Sequence, residues 1–350
     1  MQTQTEIREI LQQANLAPQK AMGQNFLIDH NLMGKLLELA DLSGTETVLE
    51  VGPGTGSLTE ELLSRCRKLV AVELDRGLGD VLDARLGGRE NFKLVRGDIL
   101  ESKHRLSGEV LAELSVAAAG TVHLVSNLPY NVATPLIAQC LIDSWHDLTA
   151  CNAGILPAPL GGGAPVPPPV GDSQDISSLN TRRDRSPAAQ GRNSGSPVPL
   201  CRFERLTFTV QREVADRLTA GAGQEAYGIV SIVVALLGAA RCGPVVPATA
   251  FWPAPTVASR IVRIDFDPAA ARAIRDVAIL LEVVNLAFAQ RRKQIGSILR
   301  RAEHSSFSPA QLKEALEKNS IDPTARPERI TPAQFLTIAN ALATETNLQG

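Results

Sequence analysis

Aromatic residues are scarce in this 350-residue sequence, and it has no excess of positive charge. Phe, Trp and Tyr together make up 4% of the residues, so an aromatic ring inside a polar motif is a candidate for contact with a ligand. The formal net charge of −2 provides no overall attraction to nucleic acid. A surface that binds nucleic acid must therefore be a local basic patch.

The sequence also has few cysteines and no long apolar run. Its five cysteines are odd in number, scattered, and form no Cys-x-x-Cys pair, which favours neither a zinc site nor a disulfide framework. Residues 1–19 lack the apolar core of a secretion signal. The longest apolar run, 229–240, is shorter than the roughly 20 residues that cross a bilayer. We expect a cytoplasmic protein with no metal site and no membrane contact.

Strand patterns alternate with helical patterns over most of the chain, which predicts an α/β fold. Strands are predicted at residues 47–51, 69–74, 92–95, 122–126, 206–211 and 260–266. From residue 269 onward every pattern is helical. A hydrophobic fraction of 44% and this length suit a globular chain of two domains, or one domain with an appendage.

Residues 151–202 interrupt this pattern. They hold nine of the chain's 22 prolines, two runs of three identical residues (Gly161 to Gly163 and Pro167 to Pro169), and no hydrophobic periodicity. Such a composition cannot bury enough apolar surface to offset its ordering entropy, which predicts a disordered insertion. Because a helix-to-strand connection lies opposite the carboxyl ends of parallel strands, we expect the insertion to lie away from a functional site and to leave activity intact.

A glycine-rich turn follows the first strand and precedes a helix. Its sequence is Gly52-Pro53-Gly54-Thr55-Gly56, and it allows close approach of a ligand to the backbone and to the helix N-terminus. The dinucleotide fingerprint Gly-x-Gly-x-x-Gly would need a third glycine where Ser57 stands. Of the possible functions, a nicotinamide-dependent dehydrogenase is therefore the one that the glycine spacing supports least.

Acidic residues end the next two strands. Glu73 lies 21 positions after Gly52 and is placed to accept hydrogen bonds from the two hydroxyls of a ribose. Asp98 ends the following strand and could accept a bond from an adenine amine. Taken singly, each is more often a solvated turn residue. Together they mark the edge at which open α/β sheets bind ligands.

The fourth strand ends in Asn127-Leu128-Pro129-Tyr130. Pro129 removes a backbone donor and pushes Leu128 away from helical geometry, so the strand must stop. The Asn127 amide oxygen and the Leu128 carbonyl could accept both N–H bonds of an exocyclic amine, and Tyr130 could lie against the ring of the base. A plain strand-ending turn is the alternative.

Two further segments are candidates for contact with a substrate. The proline-stiffened loop 251–257 carries Phe251, which could form a second wall of a base pocket. The densest basic run outside the insertion contains Arg291, Arg292 and Lys293, for which phosphate contact is a hypothesis and helix-surface charge the alternative.

Taken together, these motifs resemble the small-subunit ribosomal RNA adenine dimethyltransferases, the KsgA/RsmA family. The resemblance covers nearly the whole chain outside 151–202, in family order. The matching segments are 23–27, 50–54, 73–75, 97–98, 127–130, 211–214, 226–228, the loop that begins at Phe251, 285–293 and 321–326. The chain departs from the family in the insertion, in Ser126, where glycine is frequent, and in Ala258, where a polar residue is frequent.

The resemblance implies a Rossmann-like class I methyltransferase fold with a smaller all-helical C-terminal domain. It divides the chain into an N-terminal helical segment along the cofactor site (1–45), a methyltransferase domain (46–268) and a C-terminal domain that contacts RNA or the ribosome (269–350). The implied cofactor is S-adenosylmethionine, and the implied partner is small-subunit rRNA in an assembling 30S-type subunit. We expect a monomer.

The resemblance also implies roles for individual residues. Asn25, Leu27 and Gly52 would contact the methionine side of the cofactor, and Gly54 would also bind the cofactor. Glu73 would hold the ribose hydroxyls, and Asp98 the adenine amine. Asn127, beside the cofactor, and Leu128 would receive the N6 amine of a target adenosine, with Tyr130 stacked on its base. The target would be two adjacent adenosines near the 3′ end of the rRNA, each methylated twice.

Other functions remain open on the sequence. A large-subunit rRNA adenine methylase of the antibiotic-resistance type is the nearest, although the long helical C-terminus favours the small-subunit branch. A DNA adenine methylase would more typically carry Pro-Pro after the Asn or Asp. A non-catalytic RNA-binding assembly or transcription factor on a decayed methyltransferase fold is the alternative of another class.

Overall fold

The computed structural model describes residues 1–19, 23–102, 105–117, 121–153, 201–300 and 305–347, without the side chains of 151–153 and 344–347. Eleven strands lie in these ranges. They are β1 (Phe26–Leu27), β2 (Thr47–Val51), β3 (Lys68–Glu73), β4 (Phe92–Arg96), β5 (Leu100–Ser102), β6 (Arg105–Leu106), β7 (Thr121–Asn127), β8 (Arg202–Gln211), β9 (Gly238–Val246), β10 (Phe251–Trp252) and β11 (Ser259–Phe266).

Seven of these strands form one mixed sheet in the order β4-β3-β2-β7-β8-β11-β9. The first five are parallel, and β11 and β9 add antiparallel strands at one side. The chain reverses its direction of progress between β2 and β7, which are neighbours in the sheet. A reversal of this kind opens a crevice at the carboxyl ends of the two strands, where α/β sheets bind their ligands.

Thirteen α-helices accompany the strands in the described ranges. They are α1 (Gln4–Gln13), α2 (His30–Ala40), α3 (Ser57–Leu63), α4 (Arg76–Leu86), α5 (Gly108–Ala117), α6 (Ala133–Ala153), α7 (Arg212–Thr219), α8 (Ile229–Leu237), α9 (Pro268–Arg272), α10 (Val277–Phe288), α11 (Ile295–Leu299), α12 (Pro309–Lys318) and α13 (Pro332–Asn347). Asp29 caps α2, and its carboxylate accepts the Leu32 N–H at 3.0 Å.

Successive residues of each strand point to opposite faces, so the sheet separates two hydrophobic cores. Val48 of β2 packs with α2, α3 and α4, whereas Leu49 packs with the helices of the other face. This second core extends without interruption into the C-terminal helices, where it includes Leu280, Phe335 and Leu342. The predicted helices after residue 269 are therefore present, and they pack on the same core as α6 and α8. The domain boundaries themselves stay a prediction.

Three predictions of secondary structure need correction. The sheet does not end at the strand of residues 260–266, because β9, which the sequence pattern missed, pairs along its outer side. Helix α6 continues to Ala153, so the first three residues of the segment 151–202, which is predicted to be disordered, are helical. The basic run at 290–293 lies in the turn between α10 and α11, since α10 ends at Phe288.

The connection that carries the predicted insertion leaves α6 at Ala153 and enters β8 at Arg202. Arg202 is paired with Thr121, the first residue of β7, so this attachment point lies at the amino edge of the sheet. Residues 154–200 lie outside the described residues. Of the helices that the structure describes, none has the length and apolar character needed to span a membrane.

Candidate active site

A cavity of about 320 Å³ lies at the carboxyl ends of β2, β3 and β7, where the strand order reverses. Its size is in the range of small-molecule sites. The structure brings to it all but four of the residues singled out in the sequence. The candidate residues that line the cavity are Asn25, Leu27, Gly52, Gly54, Glu73, Asp98, Asn127, Leu128 and Tyr130.

The glycine turn after β2 forms the floor of the cavity. Neighbouring residues lie so close to two of its glycines that neither position has room for a side chain. Gly52 has φ +69°, and a Cβ there would lie 2.9 Å from Cγ of Pro129. Gly54 has φ +61°, and a Cβ there would lie 2.8 Å from Cε1 of Phe26. Both glycines are therefore required by left-handed backbone and by contact. The result is a stretch of bare backbone that lines the cavity.

Glu73 fixes the shape of this turn. Its side chain is buried, and its two carboxylate oxygens accept the Gly54 N–H at 3.0 Å and the Asp75 N–H at 2.9 Å. Burial raises the pKa of this carboxyl, against the lowering effect of the two backbone donors. Because a carboxylate offers about four acceptor positions, Glu73 still has capacity for a ribose diol.

Asp98 and Leu74 flank Glu73 at the open side of the cavity. Asp98 is exposed, and its Oδ1 accepts the Leu100 N–H at 3.0 Å, which leaves the second oxygen for a ligand. Leu74 is 52% exposed although it is a large apolar residue, and it lines the cavity. The apolar side chain of Leu74 suits contact with the face of a flat ring, and the two acids suit hydrogen bonds with the polar edges of that ring.

Glu50 also belongs to the site. It lies in the segment 50–54 that resembles the family, but the sequence indicated no role for it. It is fully buried at the end of β2, lines the cavity, and its Oε2 has no hydrogen-bond partner among the described residues. Burial raises the pKa of Glu50 to about 8. A buried carboxyl with an unpaired oxygen suits a ligand that brings a polar group to pair with it.

The N-terminal segment also contributes contacts that no sequence pattern indicated. Buried Gln2 donates from Nε2 to the Thr55 carbonyl at 3.1 Å and accepts the Thr55 hydroxyl at 2.7 Å. Further along, Gln19 and Gln24 both donate to Oδ2 of Asp75, at 2.7 and 3.2 Å. These bonds tie the segment before β1 to the glycine turn and to the start of α4.

The Asn127 side chain is held by one end only. Its Nδ2 donates to the Asn25 carbonyl at 3.0 Å, while its Oδ1 is buried and has no partner in the described part of the chain. The Asn25 amide in turn donates to the Gly23 carbonyl at 2.9 Å. No described donor bonds the Leu128 carbonyl either. The turn thus holds two acceptors, Oδ1 of Asn127 and the Leu128 carbonyl, that no described donor bonds.

Ser126 and Tyr130 fix this turn in the sheet. The buried Ser126 hydroxyl donates to the Val51 carbonyl at 2.6 Å and joins the ends of β7 and β2. The Tyr130 hydroxyl lies 2.9 Å from Oγ of Ser259, at the start of β11. Burial raises the pKa of Tyr130, so its phenol is neutral near pH 7.

Four candidate residues do not line the cavity. Phe251 is 2% exposed, pairs with Leu27 through β1 and β10, and packs in the core of the α2 face, so it forms no wall of the cavity. Arg291 pairs with Glu328 at 3.4 Å and donates to the Glu225 carbonyl at 2.6 Å. Arg292 and Lys293 are exposed, with no side-chain partner among the described residues.

The sequence matches the family described as "Ribosomal RNA adenine dimethylase" over residues 15–344. It is 31% identical over 336 residues to "Ribosomal RNA small subunit methyltransferase A" of Pelotomaculum thermopropionicum, covering 96% of this chain and 95% of the relative. It is 32% identical over 342 residues to the protein of the same name from Phenylobacterium zucineum, covering 97% and 94%.

Solved structures share the fold. A dimethyladenosine transferase from Plasmodium falciparum superposes with a TM-score of 0.59 at 19% identity, covering 89% of this chain and 95% of its own. The 23S rRNA methyltransferase ErmE superposes with a TM-score of 0.51 at 20% identity, covering 91% and 99%. The predicted Rossmann-like fold is confirmed.

Proposed function

The chain belongs to the ribosomal RNA adenine dimethylase family, and we propose that it methylates N6 of two adjacent adenosines near the 3′ end of small-subunit rRNA. As a member of this family, the protein dimethylates adenine in rRNA and uses S-adenosylmethionine. The position of the adenosines and the residue roles below are the proposal. We further propose that the enzyme acts as a monomer in the cytoplasm, on an assembling small subunit.

The residues at the cavity fit S-adenosylmethionine. Gly52 and Gly54 line the cavity with backbone alone, and Glu73 retains acceptor capacity for a ribose diol. We assign Asn25, Leu27 and the two glycines to the methionine side, Glu73 to the ribose, and Asp98 to the adenine amine, with Asn127 at the junction with the substrate. When bound, the cofactor supplies a methyl group on a positively charged sulfur.

The amine of adenine is a poor nucleophile because its lone pair is delocalised into the ring. Hydrogen bonds from its two N–H groups to Oδ1 of Asn127 and to the Leu128 carbonyl favour a pyramidal nitrogen, whose lone pair is then free to attack. The two acceptors also stabilise the positive charge that the nitrogen acquires during transfer. Asn127 and Leu128 therefore act by positioning and electrostatics.

Tyr130 would supply the face on which the target base stacks. A base inside a helix cannot reach the cavity, so the target adenosine must leave its stack, and an aromatic ring replaces part of the lost stacking. Oδ1 of Asn127 is covered by protein atoms in this structure. The amine can therefore reach it only after a local shift of Asn127 or of the adjoining residues 23–25.

One observation carries this proposal most directly. The Asn127 amide is oriented by its bond to the Asn25 carbonyl, so the end that remains unpaired is the acceptor and not the donor. An acceptor is what an exocyclic amine requires, and a buried acceptor without a partner is rare and costs about 1–3 kcal/mol. A substrate amine would satisfy it.

The test is methyl transfer from labelled S-adenosylmethionine to small subunits that lack the modification, followed by analysis of the nucleosides. The proposal predicts N6,N6-dimethyladenosine at two adjacent positions near the 3′ end of the rRNA. Large subunits serve as the matched control substrate. Transfer to large subunits only would identify a large-subunit methylase. Normal cofactor binding without transfer to either subunit would identify a non-catalytic assembly factor.

A further inference from the structure

The anchor of Tyr130 is a feature that the proposed reaction does not by itself require. Its hydroxyl lies 2.9 Å from Oγ of Ser259, a residue 129 positions away and fully buried. Ser259 begins β11, where it is paired with Gln211 of β8 on one side and with Val246 of β9 on the other. The backbone of Ser259 is therefore held between two neighbouring strands.

Among the described residues, the Tyr130 side chain has no second hydrogen bond besides the one with Ser259. It lies in the turn after Pro129, outside any strand or helix, and it is only partly buried. None of the described aromatic rings stacks on it. Rotation about its side-chain bonds would change the tilt of the ring. A single bond at the far end of the side chain, from Ser259, removes that freedom.

We propose that Ser259 is a positioning residue for the methyl transfer. It holds the Tyr130 ring at the tilt that the target adenine needs for stacking, and so aligns the amine with the acceptors Asn127 and Leu128. This inference rests on the proposed function. It adds a residue that lines no part of the cavity and acts only through the hydroxyl of Tyr130.

The second transfer is more sensitive to this alignment than the first. After one transfer the amine carries a methyl group and one N–H, so it can bond only one of the two acceptors at a time. The stacked ring then supplies a larger share of the orientation. Loss of the anchor should therefore slow the second transfer more than the first and release adenosine that carries one methyl group.

The experiment compares Ser259→Ala, Tyr130→Phe and the double variant on small subunits that lack the modification. Each single variant should lower kcat/KM for the subunit about three- to tenfold, the range expected for one hydrogen bond. Each should also raise the ratio of N6-monomethyl to N6,N6-dimethyladenosine. The affinity for S-adenosylmethionine should stay within about twofold, because neither hydroxyl contacts the cofactor residues.

The double variant distinguishes positioning from a general structural role. If Ser259 acts through the Tyr130 hydroxyl, the double variant should equal either single variant, which a double-mutant cycle reports as strong coupling. The matched control is Thr207→Val, which removes a fully buried hydroxyl with no described partner from β8. It should leave both the rate and the product ratio unchanged.

Two results would overturn the inference. One is additive loss in the double variant. The other is wild-type rate and product ratio in Tyr130→Phe, a variant that removes the bond without altering the sheet and so decides the question even if Ser259→Ala fails to fold. Failure of the proposed function has a separate signature, because the wild-type enzyme would then form no dimethyladenosine.

Discussion

The side-chain amide of Asn127 donates a hydrogen bond to the backbone carbonyl of Asn25 at 3.0 Å, across 102 positions of sequence. This bond joins the strand-ending turn to the segment that crosses the cavity. It also decides which end of the amide is left for a substrate. The two halves of the proposed reaction, cofactor binding and amine recognition, therefore meet at one side chain.

Glu50 should make the stability of the ligand-free protein depend on pH. Its pKa is raised from 4.5 to about 8 by burial, so the folded state binds the proton more tightly than the unfolded state does. This contribution is complete below about pH 4.5 and is lost as the pH rises through about 8.

In Glu50→Gln that loss is absent, because the amide does not ionise. Thermal melts of the two proteins should give Tm values that diverge as the pH rises from about 5 to 9. At about pH 9 the Tm of the variant should be several degrees higher than that of the wild type. Parallel Tm curves over this range would contradict a strongly raised pKa.

Gln2 should support the affinity for the cofactor from outside the cavity. Gln2→Ala removes the acceptor of the buried Thr55 hydroxyl, while the Thr55 carbonyl keeps its bond from Arg85 at 2.8 Å, and a buried hydroxyl without a partner costs about 1–3 kcal/mol. If part of that cost falls on the glycine turn, the Kd for S-adenosylmethionine should rise about fivefold in calorimetric titration. The control is Gln13→Ala, an exposed glutamine of α1, which should leave Kd unchanged. Equal Kd values for both variants would mean that Gln2 does not shape the cofactor site.

Residues 154–200 should be dispensable for the reaction. The strand that follows them enters the sheet beside Thr121, at the amino edge, whereas Asn127 ends the same β7 at the carboxyl edge. A chain in which a flexible Gly/Ser linker replaces 154–200 should keep kcat and KM within about twofold. A tenfold loss of methyl transfer, with cofactor binding intact, would show that the segment contributes to substrate recognition.

In the basic turn after α10, we expect Arg291 to stabilise the fold and Arg292 and Lys293 to contact RNA. Arg292→Ala with Lys293→Ala should weaken binding to small subunits and reduce the slope of log K against log salt by about 1–2, since each phosphate contact contributes about 0.7–0.9. Arg291→Ala should instead lower the Tm, because it breaks contacts with Glu328 and with the Glu225 carbonyl.

The control for this pair is Lys35→Ala with Lys313→Ala, which removes the same charge from exposed helix positions elsewhere. An equal change of slope in the control pair would assign the effect to net charge and not to the turn.

The carboxyl edge of the sheet could be predicted from sequence because each of its signals is local. The glycine turn, the acids that end two strands and the Asn-Leu-Pro-Tyr turn are each written in a few consecutive residues. Parallel pairing then brings them to one edge, as predicted. The helix cap at Asp29 is local in the same way.

The features that sequence reading missed depend on contacts between distant residues. Gln2 reaches Thr55, and Tyr130 reaches Ser259, without any periodic pattern to announce them. Strand β9 was missed because Gly238 to Pro244 includes two glycines and a proline, which are unfavourable in strands except at an edge such as this one. Phe251 was assigned to the cavity for its aromatic ring, whereas pairing with Leu27 buries it.

The most direct test of the account compares the wild type with Asn127→Ala at saturating S-adenosylmethionine, on small subunits that lack the modification. Saturation removes any effect on cofactor affinity, and Asn319→Ala, a substitution of the same kind at the C-cap of α12 and outside the cavity, serves as the control. The account predicts dimethyladenosine from the wild type and the control, and a rate about 10²–10³-fold lower from Asn127→Ala, the usual effect of removing one preorganised electrostatic partner. Dimethyladenosine formed by Asn127→Ala within tenfold of the wild-type rate would contradict it.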